Sequence, residues 1–241
     1  MIRACIPWLR KGGWTMERKR FRGLHQNFSD PLLTALTILL SILLFVLGPL
    51  QAAGALPGLY LGWFFGLVLI PAAFLVSTSR PALAAILVAI ALVVTAGLLR
   101  SSSVVDICLD ATAWLIAGLT LGVVVARVVF GPGRVTYHRV IGAVFLYLDI
   151  GLVFVALFGF IAVLVPNSFS NLGTLQGNFA IAGNLIYFSF VTLTTTGFGD
   201  IVPLHPYARG LSNVEAIIGQ IYPATLLARL VTLELAHERR R

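Results

Sequence analysis

The sequence predicts an all-α protein that crosses a membrane several times, and three observations lead to this prediction. Hydrophobic residues make up 59% of the 241 residues and charged residues only 11%, far from the composition of soluble domains. Six apolar runs are long enough to span about 30 Å of hydrocarbon. A shorter apolar run, residues 179–193, lies between the last two and is too short to cross. We therefore predict six transmembrane helices with a re-entrant helix between the fifth and the sixth.

The predicted helices divide the chain into three parts. The six spans cover residues 31–50, 57–76, 81–99, 111–130, 140–165 and 211–232. A basic N-terminal segment, 1–30, precedes a four-helix transmembrane domain, 31–133. The remaining residues, 134–241, form a predicted pore domain. In that domain an outer helix (140–165) and an inner helix (211–232) flank the re-entrant helix (179–194).

The formal net charge of +8 is distributed in the way that membrane topology requires. With the N-terminus inside, only Arg100 and Arg209 of the 17 Lys and Arg residues lie outside, as the positive-inside rule demands. We expect both termini in the cytoplasm, with the basic tail near anionic lipid headgroups, and no nucleic-acid partner. The cytoplasmic (inner) membrane of a prokaryote is the expected location.

The segment after the re-entrant helix is rich in hydroxyl groups and glycine and ends on an acid. Gly197 and Gly199 occupy alternate positions in it. Glycine takes positive φ at no steric cost, so successive carbonyls can be turned to one side. Rings of such carbonyls replace the water shell of a dehydrated cation. Residues 195–200, called the filter segment below, are therefore candidates for cation coordination.

The filter segment resembles the selectivity filter of the potassium-channel family, threonine-X-glycine-(tyrosine or phenylalanine)-glycine-aspartate. The matching residues are Thr195, Thr196, Gly197, Phe198, Gly199 and Asp200. The resemblance implies that the first four of these residues coordinate K⁺ through their carbonyls, with the Thr195 hydroxyl at the innermost site. It implies that Asp200 lies at the outer mouth. Phe198 replaces the commoner tyrosine and Thr196 replaces valine or isoleucine, and we expect both changes to loosen the filter.

One filter segment per chain implies several copies around an axis, and the family's number is four. We therefore predict a homotetrameric channel that conducts K⁺ passively in contact with membrane lipids, with no cofactor and no enzymatic activity. A voltage sensor needs about 3–4 cationic residues in each subunit. The fourth span has one, Arg127, at its inner end, where a snorkelling side chain is the simpler interpretation. We expect little voltage dependence.

Several residues around the filter segment receive supporting roles by the same resemblance and by their spacing. Tyr187 and Phe188 form the aromatic support of the pore helix, and Glu215 is expected to accept hydrogen bonds from that helix. Gly219 is either a hinge or a site of close helix packing, and Pro223 should add a kink. Residues at helical spacing on the inner helix are predicted to line the cavity: Gln220, Ala224, Leu227 and Val231.

Asp149 lies about 15 Å into the outer helix, near the membrane midplane. An acid at this depth is a functional candidate. Gln220 and Tyr222 on the neighbouring helix match it in depth. Two interpretations stay open, a protonated hydrogen-bonded structural link and a proton-sensitive site that biases the gate.

Three other functions remain open beside the potassium channel. The substitutions at Thr196 and Phe198 are also compatible with a weakly selective monovalent cation channel. A proton-coupled transporter would use Asp149 and Glu215, but the inverted repeats typical of that class are not visible. A non-conducting membrane scaffold would tolerate a bulky residue at Gly197 or Gly199.

Overall fold

The structure, a computed structural model, describes residues 32–53, 61–76, 79–99, 103–130, 137–173 and 178–238. The described residues form seven helices and one pair of short strands. The helices are α1 (32–52), α2 (Leu61–Val76), α3 (Arg80–Leu99), α4 (Ser103–Val129), α5 (Tyr137–Leu164), α6 (Asn178–Leu193) and α7 (Pro206–Glu238). The strands are β1 (Phe169–Ser170) and β2 (Val202–Pro203). The predicted basic segment 1–30 and the predicted outer residue Arg100 lie outside this part of the chain.

Four helical stretches among the described residues are long and apolar enough to cross a membrane. They are Leu32–Leu50, Arg80–Leu98, Ile107–Val129 and Tyr137–Leu164. This confirms an all-α membrane protein at the level of class. The apolar parts of α2 and α6 are shorter, and α7 has 33 residues but is less apolar. Six spans and a re-entrant α6 therefore stay predictions.

Three local features differ from the sequence-based expectations. The helix of the fourth predicted span begins at Ser103 and its apolar part at Ile107, not at residue 111. A π-helical turn, Leu43–Leu47, interrupts the regular hydrogen bonding of α1. A two-stranded antiparallel pairing, in which Phe169 faces Pro203, adds a small β element to a fold predicted as all-α.

The helices pack so that α6 is enclosed on several sides. α4 packs between α3 and α5, and α6 packs against α5, α7 and the C-terminal end of α1. The rings of Phe45 in α1 and Phe190 in α6 meet edge to face with their centroids 5.4 Å apart. The first helix of the predicted four-helix domain therefore contacts the helix that presents the filter segment.

Candidate functional site: the filter segment and its supports

The filter segment has an alternating backbone. The φ angles of Thr195, Gly197 and Gly199 are +55°, +61° and +80°. Positive φ is free for glycine but uncommon for a residue with a β-branched side chain, so Thr195 is held there by its surroundings. Positive φ thus occurs at every second position, at Gly197 and Gly199, where glycine permits it, and also at Thr195.

The amide groups of the filter segment bond back to the last turn of α6. The Thr195 amide donates to the Thr192 carbonyl at 2.9 Å, and the Thr196 and Gly197 amides donate to the Val191 carbonyl at 2.9 and 3.4 Å. These bonds satisfy carbonyls that a helix end leaves free. Within the part of the chain that the structure describes, no hydrogen bond reaches the carbonyls of residues 195–199. Residues 195–199 are exposed, and their five consecutive carbonyls have no hydrogen-bond donor among the described residues.

The threonine hydroxyls form a local network. Thr194 donates its hydroxyl hydrogen to the Phe190 carbonyl at 2.7 Å, and its oxygen lies 2.8 Å from the Thr196 hydroxyl. The Thr195 hydroxyl donates to the Thr194 carbonyl at 2.7 Å and accepts from the Gln220 amide at 2.7 Å. The unusual Thr196 therefore has a hydrogen-bond partner, and its hydroxyl ties the segment to the residue before it.

The outer end of the filter segment is held by the loop after α5. Asn171 donates its side-chain amide to the Asp200 carbonyl at 2.9 Å, next to the β1–β2 pairing. Asn171 itself has a φ of +56°, a region that asparagine tolerates better than most residues. Sequence reasoning missed Asn171, because nothing in its neighbourhood indicates a partner 29 residues away. The Asp200 side chain is exposed at this end.

The two adjacent aromatic residues of α6 face different environments. The Tyr187 ring stacks on Phe198 with an interplanar angle of 4° and a centroid separation of 6.4 Å. Phe188 is buried and meets Phe158 and Phe169 edge to face, at 5.0 and 5.3 Å. Tyr187 therefore contacts the filter segment itself, whereas Phe188 anchors α6 to α5 and β1.

Glu215 lies fully buried behind α6, where the sequence predicted a supporting acid. The Ser189 hydroxyl lies 2.5 Å from Glu215 Oε1 and 2.9 Å from the carbonyl oxygen of Gly151 in α5. One hydroxyl hydrogen cannot serve two acceptors. A protonated Glu215 that donates to Ser189 would satisfy both contacts fully. The three residues then join α5, α6 and α7 directly behind the filter segment.

The predicted hinge region forms part of an unbroken helix. α7 continues through Pro223 to Glu238. Pro223 has no N–H to donate to the carbonyl of Gly219, four residues earlier, so one helical bond is missing there. Gly219 is buried, and a Cβ on it would lie 1.8 Å from the carbonyl oxygen of Leu193. The structure therefore shows close packing at Gly219.

The predicted cavity-lining residues of α7 share an exposed face in the single subunit. Gln220, Ala224 and Leu227 are exposed, and 65% of the Leu227 surface is accessible. Val231 lies further along the same helix, and its side chain is outside the described part. Gln220 contacts the filter segment through the Thr195 hydroxyl.

Asp149 does not face the partners that its depth in the membrane suggested. The Tyr222 hydroxyl donates to the Ala143 carbonyl at 2.8 Å, and the Gln220 amide donates to Thr195. Asp149 is buried against α4 instead. Cβ atoms built on Gly118 and Gly122 would stand 3.5 Å and 2.9 Å from its carboxyl oxygens. The carboxyl of Asp149 therefore lies beside the glycines of α4, and the hydrogen bonds of Gln220 and Tyr222 that the structure records go to other residues.

One comparison with known proteins finds a match, over one part of the chain. Residues 144–234 match a family model described as "Ion channel", Ion_trans_2. The matched region begins within α5, contains α6 and the filter segment, and ends in α7. The comparison with curated proteins and the comparison with solved structures each return no significant match. The match supports an ion-channel domain in residues 144–234 of a multi-pass membrane protein.

Proposed function

We propose that the chain is one subunit of a homotetrameric, potassium-selective channel that conducts passively. The observation on which the proposal rests is the row of exposed carbonyls at residues 195–199, produced by positive φ at alternate positions. In the single subunit water can reach these residues, but carbonyls that an assembly removes from water need another partner. A dehydrated monovalent cation is the partner that such a row suits.

Several copies of the chain are needed to surround an ion with these carbonyls. A single subunit offers oxygens from one side only, and the sequence contains one filter segment. The single subunit also leaves large apolar side chains exposed near the filter, with 70% of Phe198 and 57% of Ile217 accessible. Symmetric assembly of four subunits around the filter supplies the remaining oxygens and covers this surface.

The proposed topology has six spans, with α6 entering and leaving from the outer side. At 1.5 Å per residue the 16 residues of α6 reach about 24 Å, and the 33 residues of α7 reach about 50 Å. α6 ends at Leu193, directly before the filter segment, so its C-terminal half-charge favours a cation there. Asp200 at the outer end raises the local cation concentration. In this topology both termini lie on the cytoplasmic side of the cell membrane.

A weakly selective cation channel is the second candidate, and the exposed Phe198 ring favours it. A tyrosine at this position would offer a hydroxyl for bonding to the surrounding aromatic residues. Phe198 contacts Tyr187 by ring stacking alone. Fewer directional bonds around the carbonyls allow the filter to adapt to smaller cations.

The test is ion flux through purified protein in liposomes, with potassium inside and sodium outside. The variant is Gly199→Ala, which places an alanine at a φ of +80°. No atom lies within 4 Å of the added Cβ, so the substitution causes no steric clash in the subunit. The matched control is Gly210→Ala in α7, where nothing lies within 4 Å either and φ is ordinary. The two variants therefore differ mainly in backbone strain, about 1–2 kcal/mol for the left-handed residue.

We expect potassium efflux that far exceeds sodium influx, is lost in Gly199→Ala and persists in Gly210→Ala. Equal potassium and sodium fluxes would favour the weakly selective channel. Concentrative, proton-linked uptake would indicate a transporter. Absence of flux from all three proteins, under a range of voltages and pH values, would contradict the channel proposal and favour the scaffold.

A further inference from the structure

We propose that Gln220 is a positioning residue that lowers the cation affinity of the innermost filter site through the hydroxyl of Thr195. The contact that carries the inference is the 2.7 Å hydrogen bond from Gln220 Nε2 to Thr195 Oγ1. The inference rests on the proposed function, because it concerns the inner end of the same filter. It assigns to Gln220 a role beyond that of a cavity-lining side chain.

The direction of this hydrogen bond follows from the hydrogens available. The Thr195 hydroxyl has one hydrogen and donates it to the Thr194 carbonyl oxygen, with 2.7 Å between the two oxygens. An amide nitrogen carries two hydrogens and no lone pair for accepting. Gln220 is therefore the donor and Thr195 the acceptor.

Packing behind the filter fixes the position of Gln220. Its neighbour Gly219 lies against the carbonyl of Leu193, and Glu215, just over one turn earlier, meets Ser189 of α6. These two contacts set both the rotation and the axial position of α7 relative to the end of α6. The side chain of Gln220 is therefore presented to the base of the filter segment by backbone packing, which is stiffer than a side-chain contact.

The bond to Gln220 changes what Thr195 offers to an ion. A hydroxyl oxygen has two lone pairs, and the amide occupies one of them. The amide hydrogen also places partial positive charge beside the cation position, in a site where charges are weakly screened. In the proposed tetramer the effect occurs four times. The innermost site should hold a cation less tightly and release it to the cavity more readily.

The carbonyl end of the same side chain has a complementary role. Within the described residues, no hydrogen bond reaches Gln220 Oε1, and the side chain is exposed. The amide carbonyl can therefore replace a water molecule around an ion that leaves Thr195. Gln220 thus weakens one oxygen ligand and supplies another below it.

The experiment measures block by internal barium, a divalent ion of about the radius of potassium, in wild type and Gln220→Met. Methionine has the length of glutamine and no donor. The matched control is Asn213→Leu, which replaces an exposed amide of α7 that has no contact with the filter segment. Gln220→Leu serves as the second variant if Gln220→Met does not assemble. Barium binding to the purified protein is measured in parallel by calorimetry.

We expect Gln220→Met to bind barium roughly tenfold more tightly, the equivalent of one hydrogen bond. Asn213→Leu should bind it as wild type does. In a Thr195→Val background, Gln220→Met should no longer tighten barium binding, because the hydroxyl through which the amide hydrogen acts is gone. Unchanged or weaker barium binding in Gln220→Met would overturn the inference even when the protein conducts. Absence of any Gly199-dependent flux in wild type would instead contradict the proposed function, and calorimetry would still decide the role of Gln220.

Discussion

Gly219 of α7 lies against the backbone carbonyl of Leu193, the last residue of α6. A Cβ at position 219 would stand 1.8 Å from the carbonyl oxygen and 2.8 Å from the carbonyl carbon. Both atoms belong to the backbone, so no change of side-chain rotamer makes room. Of the two interpretations that the sequence left open for Gly219, the contact favours close packing.

Gly219→Ala should therefore destabilise the protein. Overpacking costs about 1–3 kcal/mol where side chains can adjust, and a backbone clash belongs at the upper end or beyond. Gly210→Ala is the matched control, since its Cβ meets nothing within 4 Å. That variant should gain roughly 0.5–1 kcal/mol from helix propensity. The measurement is the thermal unfolding midpoint in detergent. A Gly219→Ala protein with wild-type stability and a loss of opening would restore the hinge interpretation.

The hydrogen bonds behind the filter segment predict unequal effects for two buried serines. Ser189 bonds to Glu215 and Gly151 on other helices, whereas Ser212 bonds only to Ala208 in its own helix. Ser189→Ala leaves Glu215 buried without a partner and should cost about 1–3 kcal/mol. Ser212→Ala should cost less than half as much.

The same network predicts that Glu215→Gln is tolerated. Its amide can donate to Ser189 as the protonated acid does, so stability and ion selectivity should stay near wild type. Glu215→Ala removes the donor and leaves a cavity. Denaturation curves measure the stability of the two serine variants and the two Glu215 variants. Reversal potentials then measure their ion selectivity. Similar losses for Ser189→Ala and Ser212→Ala would show that the cross-helix bonds contribute little.

The position of Asp149 predicts coupling with Gly122 of α4. A Cβ at Gly122 would stand 2.9 Å from a carboxyl oxygen of Asp149, so Gly122→Ala should be destabilising. In an Asp149→Ala background the added methyl group has space. The coupling free energy in a double-mutant cycle should be on the order of 1 kcal/mol. Additive effects would contradict the contact.

Asp149→Asn separates the packing role of this carboxyl from a proton-sensing role. The amide keeps the shape of the side chain, and the contacts recorded for the Asp149 carboxyl are with Gly118 and Gly122 of α4. We therefore expect unchanged pH dependence of the ion flux. A changed pH profile of the ion flux would support the interpretation of Asp149 as a proton-sensitive site that biases the gate.

Arg229 connects the C-terminal half of α7 to Phe130, the residue after α4. Its guanidinium donates to the Phe130 carbonyl and lies 4.9 Å from the centroid of the Phe130 ring. Arg229→Gln and Phe130→Leu should each lower stability by about 0.5–2 kcal/mol, and less than additively in combination. Arg127→Gln is the control for loss of one positive charge near the same helix end. Additive losses measured in thermal unfolding would show that the two groups act independently.

Much of the fold was determined by the sequence alone, because apolar runs and glycine spacing are local properties. The predicted outer helix, 140–165, differs by a few residues from α5, Tyr137–Leu164, and the predicted pore helix differs by one residue at each end from α6. The alternation of positive φ was likewise foreseeable from Gly197 and Gly199. The start of α4 was missed, since Asp106 and Asp110 interrupt the apolar pattern although both lie within the helix.

The side-chain partners were decided by the tertiary structure. The sequence placed Glu215 behind the filter, but its contact with Ser189 depends on the rotation of α7. The same spacing argument placed Asp149 opposite Gln220. In the structure the Asp149 carboxyl lies beside Gly122, and Gln220 donates a hydrogen bond to Thr195. Depth along a helix follows from residue number, at 1.5 Å per residue. The direction in which a side chain points around the helix depends on which neighbours pack against it, and only the assembled helices determine that.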